Sequence, residues 1–69
     1  MTNHNAEEKV YIFIRQYTAD QGHPPTLREI SAGVYMAMGT IIRCLDVLEV
    51  RGRIARKHGK SRSITLLDD

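Results

Sequence analysis

The side chains best able to do chemistry in this sequence are cations, and they are concentrated. Arg51, Arg53, Arg56, Lys57, Lys60 and Arg62 fall within twelve residues, opposed beyond position 50 only by Asp68 and Asp69. Residues 1–50 reverse the balance, with Lys9, Arg15, Arg28 and Arg43 against six carboxylates, so the overall net charge of +2 conceals two unlike halves. A basic block of this density attracts polyanions, because each phosphate it neutralises releases condensed counterions. A solvated basic face or a loose tail has the same composition, and the readings separate only if folded elements hold the cations in place. The other reactive side chains form no pattern. His4, His23 and His58 are scattered without metal-ligand spacing, and Cys44 stands alone. Cys44 flanks an apolar stripe and is expected to be half-buried packing, not a nucleophile or redox switch. Without a glycine-rich phosphate loop, nucleophile elbow or zinc-peptidase motif, neither catalysis nor a cofactor is expected.

Apolar spacing supplies the elements that must position the block. Val10, Phe13 or Ile14, and Tyr17 recur at helical intervals, with Asn5 and Glu8 as a capping box, predicting a first helix over about 6–21. Gly22 suits the left-handed close of a helix, and His23 before Pro24 and Pro25 turns the chain. Thr26 and Glu29 form a second capping box ahead of Leu27 and Ile30, which predicts a short second helix over about 27–33. The uncharged stretch between Gly33 and Gly39 reads as a turn. Ile41, Leu45 and Leu48 at i, i+4 and i+7, with Gly52 as a stop, predict a third helix over about 38–51. Ile54, and then Ile64 with Leu66, alternate with polar residues on either side of His58-Gly59-Lys60, the pattern of a β-hairpin with a short glycine turn, over about 53–67. The core expected from these stripes is Val10, Ile14, Tyr17, Leu27, Ile30, Val34, Ile41, Leu45, Leu48, Ile54, Ile64 and Leu66.

Length and composition bound this scheme. Sixty-nine residues with 42% hydrophobic and 26% charged side chains make one small globular domain, 1–69, near the lower size limit for folding without disulfides or metal. The lone cysteine excludes an internal disulfide. The apolar runs are far shorter than the ~20 residues of a membrane span, and the polar, acidic N-terminus is unlike a secretory signal. The expected setting is therefore cytoplasmic and nucleoid-associated, with no membrane partner and no small-molecule ligand.

The predicted fold class is mainly α with a small β-hairpin: a three-helix winged helix-turn-helix whose basic block lies on the wing and the helix end before it. Three segments carry a family resemblance. Gly22-His23-Pro24-Pro25-Thr26-Leu27-Arg28-Glu29-Ile30, then Leu45-Asp46-Val47-Leu48-Glu49-Val50-Arg51-Gly52-Arg53-Ile54, then Gly59-Lys60-Ser61-Arg62-Ser63-Ile64, resemble the N-terminal DNA-binding domain of the LexA repressor family from about Val10 to Leu67. The first segment is fairly specific; Leu-x-x-Leu-Glu-x-x-Gly is common among winged-helix regulators. Between Ile30 and Leu45 the chain is one residue shorter than LexA, and Val34–Ile41 replaces a more polar approach to the recognition helix. The spacing there is closer to compact winged-helix regulators, which often carry Thr and Arg where Thr40 and Arg43 stand. The family's self-cleaving peptidase half has no counterpart in these residues.

Read physically, the third helix enters the major groove of duplex DNA, where an α-helix fits and base pairs differ in their donors and acceptors. Arg43 is the first candidate base reader, because its fork bonds two guanine acceptors at once. Near the helix start Thr40 reaches a phosphate or a thymine methyl and Gly39 lets backbone N–H groups approach a phosphate, or both serve only to begin the helix. Met38 and Ile42 touch bases by apolar contact, or equally fill the turn or a partner interface. Backbone contacts are expected from Thr26 and Arg28 at the second helix, from Arg51 and Arg53 near the helix end, and from Arg56, Lys57, Lys60 and Arg62 in the wing. For Thr26 the reading as a cap alone is preferred over the phosphate contact. A homodimer on a palindromic site would extend the few base pairs that one module reads. Two further readings stay open: an N-terminal fragment of a larger self-cleaving repressor, and a protein-binding winged helix that docks through Tyr35, Met36, Met38 and Ile42.

Overall fold

The structure, a computed structural model, describes residues 6–67. Three helices, α1 (Ala6–Gln21), α2 (Leu27–Val34) and α3 (Met38–Val50), precede two strands, β1 (Ile54–Ala55) and β2 (Thr65–Leu66). This is the mainly α winged helix-turn-helix expected from the apolar spacing. The α2 helix runs one residue further than anticipated and α3 ends one residue earlier. Asn5, the anticipated cap of α1, lies outside the described residues.

Local chemistry sets the boundaries. Gly22, at φ +82°, takes the left-handed conformation and donates its N–H to Thr18 O at 2.9 Å, closing α1. The Thr26 hydroxyl accepts from Glu29 N, and the Glu29 carboxylate accepts from Thr26 N at 2.8 Å, completing the capping box that starts α2. The turn into α3 is held by Ser31, whose carbonyl receives N–H bonds from Tyr35 and Met36 while its hydroxyl donates to Met36 O. Tyr35 itself sits at φ +59°, a left-handed conformation uncommon for a non-glycine residue. The α2 and α3 axes then diverge by 106°, within the range of helix-turn-helix units.

The core lies where the three helices and the base of the hairpin converge. Val10, Ile14, Ile30, Ile41, Leu45 and Leu48 are fully buried, joined by Tyr11, Cys44, Ile54 and Ile64. Leu27, Val34 and Leu66 are only partly buried at its edge, and Tyr17 is half-buried. The α1 and α2 helices approach closely at Gly33: a Cβ there would lie 2.2 Å from the Phe13 ring. This close approach explains a glycine inside a helix, where it otherwise disfavours helix formation.

The hairpin differs from a tight glycine turn. Its antiparallel ladder pairs only Ile54 with Leu66 and Ala55 with Thr65. Residues 56–64 form a longer connection with turns at His58-Gly59 and Ser61-Arg62. Beyond the ladder the Arg56 side chain turns toward α3, and Arg62 adopts φ +53°. Ser63 substitutes for the lost ladder, its Oγ lying 3.1 Å from Lys57 N, 3.0 Å from Lys57 O and 3.1 Å from Lys60 O.

Candidate nucleic-acid interface

The outward face of α3 carries the expected base-contact set. Met38, Gly39, Thr40, Ile42 and Arg43 are all exposed, while Ile41, Cys44, Leu45 and Leu48 point into the core. Burial and, after it, the Glu7 carboxylate push the Cys44 thiol above its ordinary range against the opposing Arg43 charge, so it is an inert packing group. The first turn of α3 has no side-chain cap: Ala37 occupies that position, and Gly39 has open space around its Cα. Tyr35, 92% exposed, stands just before this face.

The wing distributes its cations unevenly. Arg56 turns back onto α3, donating to Glu49 Oε1 at 3.1 Å and to Asp46, with only 9% of its side chain exposed. Arg53 bonds Glu8 Oε1 at 2.9 Å and lies 3.9 Å above the Tyr11 ring. Arg51 reaches Glu7 at 3.4 Å. Arg62 grips Glu29 through both carboxylate oxygens, at 3.0 and 2.9 Å, and its Nη1 also faces Pro24 O, Tyr17 Oη and His23 Nδ1. Four of the six cations after position 50 are thus tied to acids of the three helices. The unbroken cationic ribbon anticipated from the sequence is narrower than composition implies, because the acids of the first fifty residues draw these guanidiniums inward.

Glu29 is the most perturbed acid. The Thr26 N–H and the Arg62 guanidinium, in that order, hold its carboxyl at about 2, well below the usual carboxylate range. The same pairing raises the Arg62 guanidinium further. One carboxylate therefore starts α2 and anchors the wing across 33 residues of sequence.

Arg28, Arg43, Lys57 and Lys60 remain exposed and make no ion pair among the described residues. Arg28, Lys57 and Lys60 line one open groove between the first turn of α2 and the wing, with Thr26 and Ser61 in its wall. Arg43 lies one helical turn before Asp46, the acid that receives Arg56. Residues 4–63 match the family model described as the LexA DNA binding domain. The chain belongs to that family. Similar LexA repressors include those of Clostridium acetobutylicum, 39% identical over 94% of this chain, and Geotalea uraniireducens, 40% over 88%. That of Desulfatibacillum aliphaticivorans is 41% identical over 84%. The matched segment is 32%, 31% and 29% of those proteins, so this chain spans about a third of the length of the relatives.

Within this LexA-type domain, sequence reasoning located the outward face of α3 from the phase of its apolar stripe. It did not find the guanidinium anchors. A signal for them existed in the excess of acids before position 50, but pairing across 33 to 45 residues has no local spacing to reveal it. Tyr11 was also missed as a core residue. It is shifted one position from the Val10 and Ile14 stripe, and Arg53 covers its ring.

Proposed function

We propose that this chain is a duplex-DNA-binding module of a transcriptional repressor, with α3 in the major groove and the wing on the phosphate backbone. Membership of the LexA DNA-binding family, together with the unpaired Arg43 on the outward face of α3 and the unpaired Arg28, Lys57 and Lys60 in the groove between α2 and the wing, carries this reading. Arg43 reads base edges with Met38, Gly39, Thr40 and Ile42 beside it, while Arg28, Lys57 and Lys60 follow the backbone. Arg51, Arg53, Arg56 and Arg62 contribute from their ion pairs, holding the wing and helix end in register; Thr26 contributes as the cap of α2. In this reading the module acts as a homodimer on a palindromic site in the nucleoid. No single helix among the described residues is long and apolar enough to cross a membrane.

Fluorescence-anisotropy titration against mixed duplexes at several salt concentrations tests the proposal. The three phosphate contacts of Arg28, Lys57 and Lys60 give a slope of log K against log salt of about −2.7. A flat response overturns the reading.

A further inference from the structure

We infer that α3 selects its duplex chiefly through thymine methyl groups, with Ile42 and Met38 as the specificity-determining contacts. The inference rests on the DNA-binding reading above and names the chemistry of its target. On the outward face of the first two turns, Arg43 alone carries a multi-donor fork, Thr40 offers one hydroxyl and Gly39 no side chain. Asn, Gln, Asp and Glu, the partners of adenine and cytosine, are absent from these positions. Polar readout therefore covers guanine and little else. Ile42 and Met38, 42% and 40% exposed, lie one turn apart on the same face. The only apolar group that a base pair presents in the major groove is the C5-methyl of thymine.

Charge decides the occupant of this apolar patch. The carboxylates that follow it along α3, Asp46 and Glu49, are already engaged by Arg56. The cation next to Ile42, Arg43, has no such partner, nor do Arg28, Lys57 and Lys60 in the groove between α2 and the wing. A second copy laid on this face would set cation against cation, whereas a duplex supplies phosphates for the rim and methyl groups for the centre.

The test uses the best duplex selected from a randomised pool, synthesised with thymine or with deoxyuridine, which lacks only the methyl group. Each contacted thymine replaced by uracil should weaken binding about fourfold. Ile42→Ala or Met38→Ala should bring the thymine and uracil forms to within about twofold at the position each residue covers, with the salt slope unchanged. Both side chains are exposed, so the variants retain the fold, which circular dichroism verifies. Equal binding of the two duplexes with the salt slope intact overturns the inference and leaves DNA binding standing. Uracil discrimination that survives both substitutions overturns the assignment to these residues, and salt-independent or absent binding to every duplex overturns the DNA reading as well.

Discussion

Glu29 shows how much one side chain can carry. It closes the capping box of α2 and receives both arms of the Arg62 fork. Its carboxyl titrates lower in the folded chain, at about 2, than its ordinary value of 4.5. Stability gained from its charge is therefore fully present above about 4.5 and is lost as pH falls toward 2. Glu29→Gln keeps an amide oxygen for Thr26 N–H but cannot titrate. The wild-type chain should lose urea resistance over that interval more steeply than the variant, as read from denaturation midpoints at pH 6, 4 and 2.5. The side chain is partly solvent-exposed, so screening keeps the effect modest. Arg43 and Lys57 differ in kind. Arg43→Ala should flatten the sequence preference at one base pair, where a bidentate contact discriminates by about 1–3 kcal/mol. Lys57→Ala should weaken all duplexes alike and reduce the salt slope by about 0.9. Selection from a random pool and salt titration distinguish the two.

At the scale of elements, the Phe13 ring of α1 packs into the space beside Gly33 of α2 that a Cβ would take. A helix interior ordinarily prefers alanine over glycine by up to about 1 kcal/mol. At Gly33 the sign reverses, because the added methyl would occupy the space of the Phe13 ring. Gly33→Ala should destabilise the fold by about 1–3 kcal/mol, the range for overpacking. Shortening the obstructing side chain in Gly33→Ala/Phe13→Leu should recover part of it, and urea denaturation of the single and double variants measures the coupling. The wing follows a different rule. Its two-residue strands supply little ladder, so its shape depends on the Ser63 hydroxyl and the guanidinium anchors.

At the scale of the molecule, the opposed charges of the two halves are spent largely on one another. Acids of α1, α2 and α3 take up Arg51, Arg53, Arg62 and Arg56, which leaves Arg43 on α3 and Arg28, Lys57 and Lys60 in the groove between α2 and the wing among the cations without an ion pair in the described residues. Folding and binding should therefore respond differently to salt. Between 50 and 200 mM, affinity for duplex DNA should fall about fortyfold at a slope of about −2.7. The urea midpoint should shift little over the same interval, since exposed ion pairs contribute only about 0–1 kcal/mol each. Parallel anisotropy and denaturation series measure both.

Helix positions, the turn residues and the core-facing stripe were determined by the sequence itself, because they depend on local spacing: Thr26 with Glu29, Gly22 before two prolines, and Ile41, Leu45 and Leu48 at helical intervals. The outward positions of α3 follow from the same phase, since a residue not on the buried stripe faces away from it. Which cations remain available was decided by tertiary structure. Arg62 and Lys60 lie two residues apart and look alike in composition, yet one is clamped to Glu29 and the other lines an open groove. Electrostatic pairing acts through space, between groups that only the folded chain brings within reach.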